Sequence, residues 1–345
     1  PADYASPVPP LESDLSESVM NGFLLKVALD EALQMAERRG DLRYADALRR
    51  RTSRLADDLQ RHAWKGDFFA RVLFNKYPDG RYSFLGARGD GLSADPSLEG
   101  SYFLNSFTWA ILSGVATEEQ IATMLDVVER ALWTPHGLKL CSPVDFSEIA
   151  GRGGSAEYFP GDRENGGVFK HADAMAVVAM FEAARWVRDP SLAARLVDLA
   201  YRVLDLILPY RTMTDPYVLA GNPRFCTQYN NSETGENVGP TLSGTATWLW
   251  LALVSAFGLQ VSPREIQVDP IPRPCQRSLR LLLRTVRAQY RIGISKPEGF
   301  CRSRDRRPRL LLDGQVVEGG SLPHLSDGKT HRVEVAFPDR EDEDR

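Results

Sequence analysis

The sequence has few of the side chains that hold metal ions. It contains four cysteines and five histidines, and the cysteines lie far apart and never as C-x-x-C: Cys141, Cys226, Cys275 and Cys301. Such spacing excludes the common structural zinc patterns. We therefore expect no metal and no organic cofactor. The cysteines are interpreted as free thiols of a reducing compartment, which predicts a cytoplasmic protein.

Long apolar runs and an excess of positive charge are also missing. No run of eighteen apolar residues occurs, so no membrane-spanning segment is predicted. Lysine and arginine number 42 against 46 aspartate and glutamate, and the formal net charge is −4. A protein that binds nucleic acid usually presents a basic face. We therefore expect neither a membrane nor a nucleic acid as partner.

Helical periodicity dominates residues 1–260. Apolar residues recur at helical spacing in seven segments: SESVMNGFLLKVALDEALQMAERRG, DLRYADALRRRTSRLADDLQRHAW, SYFLNSFTWAILSG, TEEQIATMLDVVERALWT, KHADAMAVVAMFEAARWV, SLAARLVDLAYRVLDLIL and SGTATWLWLALVSAFGL. Helix pairs joined alternately by short turns and long loops indicate an α/α toroid whose long loops gather at one end. Seven helices are fewer than a closed (α/α)6 ring requires, so the toroid is predicted to be incomplete.

Residues 65–100 differ from the helical segments around them. Glycine and aspartate recur there, aromatics alternate in DFFARVLFN, and YPDGRY is a turn signal. This composition predicts a long excursion with one hairpin. Its aromatic residues, such as Phe68 and Phe69, are candidates for stacking on sugar rings or for the core.

The chain changes character at Val261. A linker-like run, VSPREIQVDPIPRP, precedes segments with strand alternation: LRLLLRTVRAQYRIGISK, RPRLLLDGQVV and HRVEVAF. We predict a toroid over residues 1–260, a small antiparallel β sandwich or jelly roll over 261–338, and a charged, disordered tail over 339–345.

A polar stretch at the start of the fifth helix carries the first functional signal. In YFPGDRENGGVFKHADAMAVVAM, residues 158–180, glycines allow a ligand close to the backbone, and N–H groups at a helix start attract anions. Lys170 and His171, taken as cations, oppose the helix dipole unless an anion shares the site. An ordinary loop with a satisfied histidine is the alternative. Five side chains here could bind a polar ligand: Arg163, Glu164, Asn165, Lys170 and His171.

A second polar stretch opens the last predicted helix. NNSETGENVGPTLSGTATWLW, residues 230–250, crowds small hydroxyl and glycine residues at the helix start. Ser243 is a good N-cap, which is the simplest explanation. Together with Gly244 it could also form the second half of an anion cradle.

These stretches resemble the cellobiose phosphorylase family (glycoside hydrolase family 94). The resemblance covers nearly the whole chain, which is similar to the C-terminal part of the family's proteins. It rests on ENGGVFKHADAMAV, on SGTATW, and on AWKGDFFARVLFNKYPDG, YFLNSFTWAILSG and LWTPHGLKLCSPV in the family's order. Within the family, AGNPRFCTQYNNSETGENVGPTLSGTATW most resembles the 1,2-β-oligoglucan phosphorylases.

The resemblance implies an (α/α)6 barrel, preceded by a β sandwich and linker helices and followed by a jelly roll. It implies direct attack of phosphate on the anomeric carbon, with inversion. One carboxylic acid then protonates the leaving oxygen. The implied phosphate ligands are His171, Ser243 and Gly244, and the implied sugar contacts are Glu164 and Arg71. From the first polar stretch itself we add Arg163 as a phosphate ligand and Asn165 and Lys170 as sugar contacts.

The implied general acid is Asp3, because the family's acid shortly precedes a helix that begins like Glu17-Ser18-Val19. The alternative is an acid in sequence that precedes this chain. Two departures from the family, Phe107 in place of a glutamine and Ser243 in place of a threonine, argue against cellobiose and favour another linkage.

The sequence therefore predicts an inverting glycoside phosphorylase that converts β-linked gluco-oligosaccharides, with β-1,2 linkages favoured, to α-glucose 1-phosphate and a shortened glucan. Its expected partners are phosphate, the β-glucan oligosaccharide, and a missing N-terminal part or a second copy of the chain. One rival is an inverting hydrolase, which needs a second carboxylate such as Asp162 or Glu164 to activate water. The other is an inactive carbohydrate-binding fragment.

Overall fold

The structure is a computed structural model that describes residues 16–76, 82–144, 158–208, 227–240, 244–262, 265–317 and 320–337. Asp3, Ser243 and the tail 339–345 lie outside the described residues. In the described part the chain is mainly helical, with a β-rich C-terminal part, as the sequence predicts.

Every predicted helical segment contains a helix. The helices are α1 (Val19–Arg39), α2 (Leu42–Ala63), α3 (Leu104–Leu112), α4 (Glu118–Val127), α5 (Lys170–Trp186), α6 (Pro190–Ile207) and α7 (Thr245–Phe257). Gly40 ends α1 in the left-handed conformation, at φ 74°. Thr117 and Gln120 form a capping box at the start of α4, which continues as a π-helical turn over Val128–Leu132.

The long excursion after α2 contains the predicted hairpin. Strands β2 (Val72–Lys76) and β3 (Tyr82–Leu85) pair antiparallel, and β1 (Glu17–Ser18) joins them beside β2. Phe68 and Phe69 are fully buried, and Phe69 packs edge-to-face on Phe23 with ring centroids 5.3 Å apart. These two aromatic residues are core, so the suggestion that they stack on sugar is wrong.

Short strands connect the helices that follow. A two-stranded hairpin joins β4 (Trp133–Thr134) to β5 (Gly137–Leu138). A three-stranded sheet contains β6 (Val168–Phe169), β7 (Thr227–Asn230) and β8 (Asn237–Pro240), in that order.

The chain divides into two compact units. The first comprises residues 1–179 and 203–246, and the second comprises 180–202 and 247–345. The predicted domain limits were drawn from sequence character alone, and they stay predictions.

The second unit contains two sheets. One has the order β11 (Ser278–Arg284), β12 (Gln289–Ser295), β16 (Thr330–Ala336), β13 (Arg309–Leu312) and β14 (Gln315–Val316). The other has the order β15 (Ser321–Pro323), β10 (Glu265–Val268) and β9 (Leu259–Val261). Their pairings are antiparallel, except that β12 and β16 run parallel. The predicted strands are confirmed, and the sandwich arrangement stays a prediction.

The interpretation of VSPREIQVDPIPRP as a linker is wrong in one respect, because this run contains β10. Ile266 and Val268 are buried there and alternate with more exposed neighbours. Alternation over four residues between prolines is too short to identify a strand from sequence. Among the described residues, no helix is both long enough and apolar enough to cross a membrane.

Candidate functional site

The sheet β6–β7–β8 brings the two polar stretches together. Val168 pairs with Asn230 and Phe169 pairs with Tyr229, while Asn230 also pairs with Asn237 across β7 and β8. Residues that are far apart in sequence therefore lie on neighbouring strands.

The strands that precede the two helices share a direction in this sheet. Since β6 and β8 are each antiparallel to β7, they run parallel to one another. They lie about 10 Å apart, which is twice the usual spacing of strands. The carboxyl ends of both strands therefore lie at the same edge of the sheet, and α5 follows β6 directly. Helix starts carry N–H groups without helical partners, and these groups favour anions.

The Glu-Asn-Gly-Gly run forms a tight turn just before β6. Asn165 N donates to Asp162 O at 3.0 Å, and Gly167 N donates to Arg163 O at 2.8 Å. A Cβ on Gly167 would lie 2.6 Å from Arg163 O, while Gly166 has φ +99°. The two glycines are thus required by the turn itself, since any side chain would break it.

Arg163 and Glu164 lie at the exposed tip of this turn. Arg163 Nε donates to Tyr229 Oη at 3.1 Å, and Nη1 donates to Tyr158 Oη at 3.4 Å. The hydrogen bonds with Tyr158 and Tyr229 raise the pKa of Arg163. Glu164 is exposed, and within the described residues its carboxylate accepts no hydrogen bond. A guanidinium held in place beside a free carboxylate can bind phosphate and sugar hydroxyls.

Asn165 is buried, with 4% of its surface exposed. Its Oδ1 accepts from Val144 N at 3.1 Å, and its Nδ2 donates to Tyr158 O at 3.1 Å. The side chain therefore joins the turn to the loops on either side. The contact of Asn165 with sugar stays a prediction. In the structure, its side-chain amide stabilises the turn through these two hydrogen bonds.

Lys170 lies in the protein interior. It is 1% exposed, and its Nζ donates to His136 O at 3.0 Å and to Leu206 O at 3.2 Å. Asp173, one turn further along α5, is fully buried and accepts from Leu138 N at 3.4 Å. Burial raises the pKa of Asp173 to about 8, against the effect of the Lys170 charge. The expectation that Lys170 contacts sugar does not fit this placement, because its ammonium group is already bonded internally.

His171 follows Lys170 and is partly exposed. Its ring packs edge-to-face on Phe169, with centroids 5.5 Å apart, and Phe169 stacks on Tyr229 at 5.1 Å. The Nδ1 atom is buried without a hydrogen-bond partner among the described residues. Burial lowers the pKa of His171, so the ring is neutral at pH 7. This corrects the expectation of a cation opposing the helix dipole, since a neutral imidazole has no such conflict.

Arg71 is connected to the same turn through Cys141. It is 5% exposed, and its Nη1 donates to Ser18 Oγ at 2.8 Å. Burial raises the pKa of the Cys141 thiol to about 12, and the positive charge of Arg71 acts in the opposite direction. Cys141 Sγ in turn donates to Glu164 O at 3.3 Å. Arg71 is therefore close to the turn, but largely enclosed.

Sequence reasoning missed His136, Tyr158 and Tyr229. Both tyrosine hydroxyls accept from Arg163. The only sequence signal for His136 was its position in the turn of LWTPHGLKL.

Among the other predicted residues, Gly244 is exposed immediately before α7. In the described part, no group of three or more potential metal ligands is found.

The described helices, with the sheet β6–β7–β8 joining the two polar stretches that precede α5 and α7, define a helical domain suited to a polar or anionic ligand. The model of the "Glycosyl hydrolase 94 superfamily, catalytic domain" matches residues 9–257, and the chain belongs to this family. The resemblance found in the sequence is thereby confirmed. Membership in the family implies an (α/α)6 toroid for the helical part.

Three relatives illustrate the family's range. The chain is 27% identical to 3-O-beta-D-glucopyranosyl-beta-D-glucuronide phosphorylase and 28% identical to solabiose phosphorylase, both of Paenibacillus borealis. Each match covers 92% of this chain and 39% of the relative, so the chain spans about two fifths of the length of these proteins. The chain is also 26% identical to the cyclic beta-(1,2)-glucan synthase NdvB of Rhizobium meliloti (strain 1021), over 75% of this chain and 9% of that protein.

Proposed function

We propose that this chain belongs to an inverting glycoside phosphorylase that cleaves β-linked gluco-oligosaccharides. The observation that carries the proposal is the sheet β6–β7–β8, in which β6 and β8 run parallel, and in which Phe169 of β6 packs on the His171 ring at the start of α5. Two named phosphorylases among the relatives support the same reaction class.

The proposed reaction is one displacement. A phosphate oxygen attacks the anomeric carbon, the bond from that carbon to the glycosidic oxygen breaks, and a carboxylic acid gives its proton to the leaving oxygen. We assign phosphate binding to His171, Ser243, the Gly244 N–H and Arg163. Asp3 is the proposed proton donor. Glu164 is the proposed sugar contact, with Arg71 enclosed behind it.

We further propose that the substrate is a β-1,2-linked glucan, giving α-glucose 1-phosphate and a shortened chain. Support comes from the stretch that ends in SGTATW and from the similarity to a relative named for β-(1,2)-glucan. Phe107, which stands where cellobiose phosphorylases have a glutamine, is fully buried in α3. Its influence on linkage would therefore act through packing. In this proposal the protein is cytoplasmic, and it works together with the portion its relatives carry in addition or with a second copy.

Hydrolysis is the second candidate, because Glu164 presents an exposed carboxylate with no partner among the described residues. Such a group could activate water. An inactive binding fragment would show neither reaction.

The experiment is product analysis on the protein as its gene encodes it. β-1,2-, β-1,3- and β-1,4-gluco-oligosaccharides are incubated with and without inorganic phosphate, and products are followed by phosphorus and proton nuclear magnetic resonance. We expect α-glucose 1-phosphate only when phosphate is present, and fastest from the β-1,2 substrate. Free glucose at the same rate without phosphate would establish a hydrolase. Turnover of only another linkage would overturn the linkage assignment alone.

A further inference from the structure

The β4–β5 turn carries His136 at its tip, between Trp133–Thr134 and Gly137–Leu138. Thr134 Oγ1 donates to Gly137 O at 2.8 Å and accepts from His136 N at 3.1 Å. These two bonds close the turn on itself. The backbone of the turn at His136 is therefore held in one conformation.

The first turn of α5 holds both sides of this turn. The buried Lys170 Nζ donates to His136 O at 3.0 Å. Asp173 Oδ2 accepts from Leu138 N at 3.4 Å, and a Cβ on Gly137 would come within 2.3 Å of that oxygen. The carboxylate thus packs directly on the backbone of the turn.

The His136 ring touches a different element, the turn between β7 and β8. A Cβ on Gly235 would lie 2.4 Å from His136 Cε1, and Gly235 has φ +73°. The ring therefore lies flush against the backbone of that turn, where no side chain would fit. The β7–β8 turn is continuous with β8, which leads to α7.

We propose that Lys170, Asp173 and His136 form a brace that fixes the β7–β8 turn relative to the start of α5, where His171, the proposed phosphate ligand, lies. The three are positioning residues, because each bonds to or packs on protein backbone. The catalytic consequence rests on the proposed function, whereas the brace itself is a property of the fold.

Hydrogen exchange tests the brace without any need for activity. The variants are His136→Ala and the double variant Lys170→Met with Asp173→Asn, which removes the Lys170 ammonium and the ionisable Asp173 carboxyl together, so that neither is left buried without the other. His324→Ala, in the β-rich part, is the control. We expect amides of residues 231–236 to exchange about tenfold faster in both variants, because local opening becomes easier, with α2 unchanged. Unchanged exchange over residues 231–236 in both variants would overturn the proposal.

Kinetics then test what the brace does for the site. Displacement of the bound phosphate lowers both the reaction rate and the affinity of the enzyme for phosphate. We therefore expect the KM for phosphate to rise about tenfold and the KM for glucan to stay within about twofold. A merely structural loss would reduce the active fraction and leave both KM values alone. Faster exchange with an unchanged phosphate KM would overturn the role in the site. A parent enzyme that forms no sugar phosphate would refute the proposed function, while the exchange result still decides the brace.

Discussion

Two neighbouring residues of the Glu-Asn-Gly-Gly turn have opposite environments, and this determines what each can do. Glu164 is exposed and its carboxylate is free of partners among the described residues, whereas Asn165 is buried and both ends of its amide are hydrogen-bonded. A free carboxylate can respond to a ligand. A buried amide with two backbone partners stabilises the loop.

The environment of Glu164 predicts that its substitution changes the KM for the sugar substrate and not the KM for phosphate. Glu164→Gln keeps the shape and removes the charge, so hydrogen bonds from sugar hydroxyls weaken by about 1.5 kcal/mol, or about tenfold. We expect the KM for glucan to rise by that factor while the KM for phosphate stays within about twofold. Initial-rate kinetics with each substrate varied in turn measure both, with Glu31→Gln on α1 as the control. A change confined to the phosphate KM would contradict the assignment.

The environment of Asn165 predicts an effect on stability. Asn165→Ala removes two hydrogen bonds and leaves the buried Val144 N–H without its partner, which costs about 2–4 kcal/mol in the free energy of unfolding. Urea denaturation measures this. The exposed Asn21→Ala, on α1, should change the free energy by less than about 0.5 kcal/mol. Equal effects of the two substitutions would show that the amide does not brace the turn.

At the scale of elements, a histidine between two carboxylates lies on β16. His331 Nδ1 lies 2.7 Å from Asp313 Oδ2, and Nε2 lies 3.1 Å from Asp327 Oδ1. The hydrogen bond with Asp313, followed by that with Asp327, raises the pKa of His331. The hydrogen bond from His331 lowers the pKa of Asp313. The imidazole therefore joins two turns to the strand, and both hydrogen bonds favour its protonated form.

This arrangement predicts a stability that depends on pH. Because the pKa of His331 is raised on folding, its contribution is complete below about pH 6.5, the unfolded value, and is lost as pH rises through the folded pKa. The difference in free energy of unfolding between the parent and His331→Gln should thus be larger at pH 6 than at pH 9. Denaturation at both pH values measures it, and His324→Gln is the control. A difference independent of pH would contradict the prediction.

The sequence predicted the helices well and the short strands poorly. Helices such as α2 contain many turns of apolar repeat and clear ends, so periodicity locates them. Strands β6 and β8 have two and four residues, which is too few for any alternation, and they exist because tertiary contacts pair them through β7. The sequence pattern could therefore not predict the sheet that joins the two polar stretches, although it identified both stretches.

The roles of individual site residues were predictable only in part, for the same reason. Composition indicated that Lys170 and His171 were cations at a helix start. The structure buries Lys170 against two carbonyls and lowers the pKa of His171 by burial. Burial is a property of the packed chain, so sequence could supply the chemistry of these side chains but not their charge states.

At the scale of the whole molecule, large apolar side chains are exposed on several helices. Trp250 is 66% exposed on α7, and Met35 is 62% exposed on α1. The relatives named above are more than twice as long as this chain. Apolar surface on separate elements commonly marks contacts with other protein.

We therefore expect this 345-residue chain to self-associate when it is produced alone. Apolar side chains exposed to this degree favour association, since burial gains about 25 cal/mol per Å². Sedimentation velocity should show a mass that rises with concentration, and Trp250→Ser should reduce it. A parent chain that remains a monodisperse monomer at all concentrations would contradict the expectation.

His171 is the residue that we propose holds phosphate at the start of α5. The most direct measurement is a phosphate titration at saturating glucan, on the parent and on His171→Ala, with His62→Ala on α2 as the control. Losing one hydrogen bond to an anion costs about 1.5–3 kcal/mol, so the KM for phosphate should rise about ten- to a hundredfold, with reduced turnover. The KM for glucan should stay within about twofold. If the phosphate curve of His171→Ala coincides with that of the parent, the histidine is a packing residue and the claim is wrong.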